Sequence, residues 1–198
     1  MNNGEFTIPI IHNSISIMTP FLLAGIGGLM TELAGMLNIA LEGLILIGAF
    51  FSVVFAASTG SLFLGIFLGI LMTMFFAFIF GAITLYLRAN VFITGLATNL
   101  LAGGMTTVLA FYLFGTKGVL FFEGLPALPI LRIPALHGIP VIGDILFGHN
   151  VLVYLGWLIV VLAWILIYKT PFGYRLRGTG SNPEALEAAG LKPRNYQM

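Results

Sequence analysis

The sequence predicts an all-α, polytopic membrane bundle of about five transmembrane helices, and two features predict it. Hydrophobic residues make up 59% of the 198 residues and charged residues only 8%, with a mean hydropathy of +1.08. A soluble domain carries about a quarter charged residues, so this chain has too few to cover a water-facing surface. The apolar residues also fall in long stretches. A helix needs roughly 20 of them to cross a hydrocarbon core about 30 Å thick, whereas a barrel strand would show about ten residues of alternating polarity. No such alternation is present.

The expected spans are 15–33, 39–57, 61–87, 91–114 and 151–168. The first carries Pro20, Gly25, Gly27 and Gly28 and ends near Glu32; the second is apolar apart from Glu42 and Ser52. The third has no charge before Arg88 and is long enough to cross with tilt. The fourth holds Asn99 and Gly103-Gly104, and Lys169 follows the fifth at once. Gly65 with Gly69, and Ala77 with Gly81, have the small-xxx-small spacing that lets helix backbones approach, read here as packing within the subunit.

Short loops rich in Lys and Arg stay on the cytoplasmic side. Five spans put the termini on opposite sides, and a cytoplasmic C-terminus gathers Arg88, Lys169, Arg175, Arg177, Lys192 and Arg194 inside, leaving Lys117 and Arg132 outside. The expected topology is therefore N-terminus out and C-terminus in, with a transmembrane domain over 1–168 and a cytoplasmic segment over 169–198. The outside loop, 115–150, holds Pro126, Pro129, Pro134 and Pro140, which preclude one continuous helix. Its apolar runs suggest short elements lying against the bundle. The N-terminus lacks a basic region and a small-residue cleavage site and reads as mature sequence.

Polar residues among apolar spans mark the candidate sites. Asn38 and Glu42 are four residues apart, which on a helix places both on one face. A carboxylate at mid-membrane costs about 2.5 to 3.5 kcal/mol and normally faces protein or water. Two readings stand together: a polar groove at a broken helix, or Glu42 at the interface with Asn38 ending one helix. Thr94, Thr98 and Asn99 on the fourth span form the second group, as interhelical hydrogen-bonding residues or as the lining of a polar path.

In the tail, Asn182 suits an N-cap, Pro183 the first helical position, Glu184 the positive helix end and Gly190 the C-terminal stop. The resulting helix of about two turns is too short to persist alone in water and needs something to dock on. Leu186, Ala189 and Leu191 offer it a small apolar contact, with a soluble partner or lipid headgroups as the two answers.

Other chemistries lack their residues. With no cysteine there is no disulfide or thiolate chemistry. Gly25-Ile26-Gly27-Gly28 has neither the preceding strand nor the spacing of a dinucleotide loop. His12, His137 and His149 are far apart without a metal-binding pattern. No cofactor, metal, catalytic group or nucleic-acid partner is expected; the lipid bilayer is.

Thr19-Pro20-Phe21-Leu22-Leu23-Ala24-Gly25, then Asn38-Ile39-Ala40-Leu41-Glu42-Gly43 with Ile47-Gly48-Ala49-Phe50, resemble the permeases of ABC importers for nucleosides and simple sugars, a branched-chain amino acid-like permease family. Gly95-Leu96-Ala97-Thr98-Asn99-Leu100-Leu101 fits it as well. Phe172-Gly173-Tyr174-Arg175-Leu176-Arg177, Gly180-Ser181-Asn182-Pro183-Glu184-Ala185 and Ala188-Ala189-Gly190 resemble its cytoplasmic coupling segment.

The resemblance implies a multi-pass permease of a bacterial-type cytoplasmic membrane that moves a nucleoside or sugar inward by alternating access. It implies a second permease subunit, cytoplasmic ATP-binding subunits that carry the hydrolysis, and an extracytoplasmic substrate-binding protein. The solute path would run by Asn38, Glu42, Thr98 and Asn99. ATPase coupling would fall to Gly173, Arg175, Arg177, Gly180, Asn182, Pro183, Glu184, Leu186, Ala189 and Gly190. The extended Asn38–Gly43 motif and the long outside loop lean toward the nucleoside branch. Family members continue past the coupling segment with further membrane helices, so the chain is expected to be the N-terminal two thirds of a permease, as a fragment or with a second reading frame supplying the rest. The competing reading is a structural or assembly subunit whose tail grips a partner and which is no solute path itself; an intramembrane enzyme ranks behind both.

Overall fold

The computed structural model describes residues 3–116, 128–131 and 145–197. Its helices are α1 (Asn3–Leu33), α2 (Leu41–Thr59), α3 (Leu62–Leu85), α4 (Val91–Phe114), α5 (Val151–Lys169), α6 (Pro171–Ser181), α7 (Pro183–Ala188) and α8 (Arg194–Gln197). Among the described residues there is no strand beyond a single Ile130–Asn150 bridge. Among the described residues five helices are long and apolar enough to cross a membrane, the first of them as Thr7–Leu33. The fold is the expected all-α bundle.

The first helix starts well before residue 15, at Asn3. The polar residues His12, Asn13 and Ser14 lower hydropathy without opposing helix formation, so hydropathy marks only the apolar part of the helix. Pro20 lies inside α1 and gives no N–H to the Ser16 carbonyl, a loss that membrane helices tolerate. Most other ends carry local signals. Ser61, Asn90 and Asn150 cap α3, α4 and α5 with their side chains. Gly60 and Gly115 take left-handed conformations (φ 66° and 70°) that end α2 and α4.

The chain forms two compact units, Met1–Gly27 with Leu128–Gly173, and Gly28–Ala127 with Tyr174–Met198. In the first, α5 packs on the N-terminal part of α1. A Cβ on Gly156 would stand 2.8 Å from the Thr19 methyl, and Val153 and Ile167 are buried. The connection before α5 pairs locally, Leu131 N–H donating to the His149 carbonyl (3.1 Å) and Val151 N–H to that of Pro129 (3.3 Å). Lys117, Arg132 and most of the loop lie outside the described residues.

In the second unit, α2 lies along α3 at glycine contacts. A Cβ on Gly65 would come within 2.6 Å of the Ser52 carbonyl, Gly69 faces Ser52, and Gly48 faces Thr73. Gly65 and Gly69 thus serve packing within the chain, as read from their spacing. Gly81 has open space beside it; with Ala77 it borders a cavity instead of a helix contact. Ala40, Leu44 and Phe80 form a buried cluster, with Phe76, Ala77 and Val91 against them.

Candidate functional site

The candidate site is built on the α1–α2 turn. Gly35 (φ 82°) ends α1: its N–H reaches the Glu32 carbonyl (2.8 Å), and Met36 N–H reaches that of Thr31 (2.9 Å). This pair of bonds around a left-handed glycine is a Schellman motif, which satisfies the helix's last carbonyls. Asn38 follows outside any helix, its Oδ1 accepting from Ala40 N–H at 3.2 Å. The expected helical face shared by Asn38 and Glu42 therefore does not form. Asn38 belongs to the turn, and its side chain serves the local backbone in the manner of an Asx-turn.

Helix α2 begins with Ala40 as N-cap, which supplies no side-chain bond. Asn99 of α4 takes over that role from another helix. Its Oδ1 accepts from Gly43 N–H (2.8 Å), one of the donors every helix start leaves unpaired, and its Nδ2 donates to the Ile39 carbonyl (3.0 Å). Small residues permit the approach: a Cβ on Gly43 would fall 2.9 Å from the Asn99 Cα, and one on Gly95 2.7 Å from the Ile39 Cβ. Thr94 and Thr98 donate to the carbonyls four residues back, Asn90 (2.9 Å) and Thr94 (2.8 Å), and Thr98 stays half-buried. Glu42 is exposed in the first turn of α2, where a carboxylate suits the positive helix end.

Asn38 borders an open cavity of about 320 Å³ that Thr31, Phe80 and Gln197 also line. Small-molecule sites occupy roughly 300–1,000 Å³, so the cavity is at the small end. Glu42, Thr98 and Asn99 do not line it.

The tail residues separate into a set in contact with other parts of the chain, in which Arg175 and Gly180 are nonetheless exposed, and an outer set. Gly173 lies at the α5–α6 elbow against the carbonyls of Leu166 and Ile167, with its N–H on Thr170 Oγ1 (3.2 Å). Gly180 lies against Leu33 and Gly35. Arg175 donates to the Tyr196 hydroxyl (3.3 Å), and the Arg177 guanidinium lies 5.0 Å from the Tyr174 ring centroid. Leu186 is half-buried and rests over Gly178, folding α7 back on α6. The outer set is Asn182, Pro183, Glu184, Ala189 and Gly190, all exposed. Asn182 caps α7 by accepting from Ala185 N–H (3.0 Å), and Gly190 (φ 80°) closes it, with Leu191 N–H on the Leu186 carbonyl (3.0 Å). Helix α6 itself goes beyond the two-turn expectation for the tail. Its signal is Thr170-Pro171, a capping residue followed by proline at the first helical position, set against three interior glycines.

A second polar cluster joins residues far apart in sequence. The His12 and His149 rings stack with centroids 4.0 Å apart. His149 Nε2 faces the Ile145 carbonyl (3.0 Å) and so carries the proton, which leaves Nδ1 to accept from Ser16 Oγ (2.9 Å). His12 Nε2 faces the Phe147 carbonyl (3.2 Å). No group of three or more metal-ligating residues occurs among the described residues.

Burial lowers the His149 pKa and the neighbouring His12 adds to this, against an opposing bond to Ile145. A folded-state pKa below the unfolded value near 6.5 means that the unfolded chain binds more protons below that value, so stability is retained above about pH 6.5 and lost on acidification. Thermal midpoints in detergent should therefore fall between about pH 7 and pH 5, and His149→Gln should flatten the dependence; an equally steep profile in that variant would assign it to other groups.

A family model described as branched-chain amino acid transport system / permease component matches residues 10–198. A nucleoside ABC transporter permease protein of Lactococcus lactis is 34% identical, over 95% of this chain and 61% of its own length. A guanosine ABC transporter permease protein of Bacillus subtilis is 34% identical, over 92% and 59%. A putative glucose ABC transporter permease protein of Haloferax volcanii is 30% identical, over 94% and 56%. The chain thus spans about three fifths of the length of these relatives. No solved structure matches it.

Proposed function

The chain belongs to the family of branched-chain amino acid transport system permease components, and on that premise we propose that it is a membrane subunit of an ATP-driven importer for nucleosides or simple sugars. Two of the relatives are named for nucleoside or guanosine transport and one for glucose, which favours the nucleoside class. The solute passes inward by alternating access, beside the polar groups of the α1–α2 turn. Asn38 contributes to the cavity wall, Glu42 and Thr98 add polar groups nearby, and Asn99 holds Ile39 and Gly43 in place. Hydrolysis of ATP takes place on cytoplasmic ATP-binding subunits. A second permease subunit and an extracytoplasmic substrate-binding protein complete the assembly, and the basic residues near the C-terminus support an N-out, C-in orientation.

The observation that carries this reading is α7, a capped helix of six residues that leaves Glu184 in its first turn and Ala189 at its C-cap exposed. Leu186 docks it on α6 over Gly178, which gives a helix this short the support it needs and leaves the exposed Glu184 and Ala189 for a partner to cover. Replacing both, with Glu184→Arg and Ala189→Arg, should lower copurification of the ATP-binding subunit by about tenfold or more, with membrane insertion unchanged. Undiminished copurification would remove α7 from the ATPase interface, and a complete wild-type transporter that takes up neither tritiated guanosine nor glucose would refute the substrate class.

A further inference from the structure

We infer that residues 35–43 act as a rigid connector between α6 and α4, with Gly180 as the positioning residue at one end and Asn99 at the other. The inference rests on the proposed function, because displacement of α6 has to originate in an ATPase partner.

At the α6 end the contact is backbone on backbone. A Cβ on Gly180 would stand 2.5 Å from the Leu33 carbonyl oxygen and 2.9 Å from Gly35 N, and one on Gly35 would stand 3.1 Å from the Gly180 Cα. Gln197 braces the same turn by donating to the Ala34 carbonyl (3.2 Å), and Ala34 is buried. Within the connector, the Schellman bonds around Gly35 and the Asn38–Ala40 bond fix the backbone. At the far end Asn99 holds Ile39 and Gly43 together, and Gly95 seats Ile39 against α4. Ala40, between these points, is fully buried. No link is a long side chain in solvent. Close-packed elements pass small shifts on as steps between discrete arrangements, without absorbing them, so a displacement of α6 reaches α4 through this segment.

Glycine matters at position 180 because the obstacle is backbone, which cannot swing aside. Gly178 of the same helix supplies the control. A Cβ there would meet only the Leu186 side chain, at 2.8 Å, which can rotate away.

The test uses the complete permease with its ATP-binding, partner-permease and substrate-binding subunits in proteoliposomes, measuring uptake of tritiated guanosine, or of glucose if guanosine is not carried. G180A should lower Vmax per folded, membrane-inserted transporter by about tenfold or more, the size of a typical coupling free energy, with KM unchanged and ATP-binding subunits still copurifying, while G178A, at equal copurification of those subunits, transports like the wild type. Equal Vmax in G180A and G178A would overturn the connector and leave the transport reading standing. Absence of ATP-driven uptake in the wild type would overturn the transport reading and the connector with it. If G180A fails to accumulate in the membrane, Gln197→Ala decides, since it removes the brace on Ala34 without adding bulk. A Vmax per folded transporter lowered about threefold supports the connector, any rise in KM reporting only that Gln197 also lines the cavity, and an unchanged Vmax overturns it.

Discussion

Gly173→Ala should destabilise the protein by about 2 kcal/mol, the balance of two opposed effects. Alanine favours a helix over glycine by about 1 kcal/mol, and Gly173 lies in the first turn of α6. Against this, the new Cβ would fall on the carbonyls of Leu166 and Ile167, closer than a Cβ approaches any atom. Overpacking a tight site costs about 1–3 kcal/mol, and an obstacle made of backbone puts the cost at the upper end. Relief requires the elbow to open, breaking the bonds by which Thr170 Oγ1 donates to the Leu166 carbonyl (2.6 Å) and accepts from Gly173 N–H (3.2 Å). The chain's two tryptophans, Trp157 and Trp164, both lie in α5. Their fluorescence during denaturation in mixed micelles should therefore show the lowered midpoint. A wild-type midpoint in Gly173→Ala would show that the elbow accommodates a side chain, and would remove the steric reason for glycine there.

The parts of this architecture that were legible in the sequence are those written locally. Twenty apolar residues in a row leave few alternatives in a 30 Å hydrocarbon layer, so the bundle follows from composition and length. The caps of α7 follow from Asn182, Pro183 and Gly190, each acting on its own backbone. The candidate site is different, because its geometry depends on partners that sequence spacing does not reveal. Asn38 and Glu42 have the separation of a shared helical face, but the Schellman end at Gly35 puts Asn38 in a turn and leaves Glu42 alone on the helix. Asn99 acts on residues 60 and 56 positions away, and the His12–Phe147 bond spans 135 positions. Helix α6 is hidden for a related reason. Gly173, Gly178 and Gly180 weaken its helical propensity, yet each is where another part of the chain comes close.

Asn99→Leu should cost about 2–4 kcal/mol, because it leaves a carbonyl and an N–H without partners in an apolar surrounding. The two bonds lost are those to Ile39 (3.0 Å) and Gly43 (2.8 Å), and α2 has no side-chain cap of its own to replace them. Asn99→Asp should fall between wild type and Asn99→Leu. The carboxylate still accepts from Gly43 N–H and suits the positive end of α2, but it presents no donor to the Ile39 carbonyl. The order wild type, Asn99→Asp, Asn99→Leu in denaturation midpoint is the signature of a cap supplied by another helix; equal midpoints would mean that water or the local backbone satisfies those groups. Uptake kinetics distinguish the capping role from direct contact with the solute. Loss of a solute contact raises KM in the folded fraction, whereas loss of the cap lowers the amount of competent transporter and leaves KM where it was. Since both polar ends of Asn99 are occupied by backbone, the second outcome is the one expected under the proposed function.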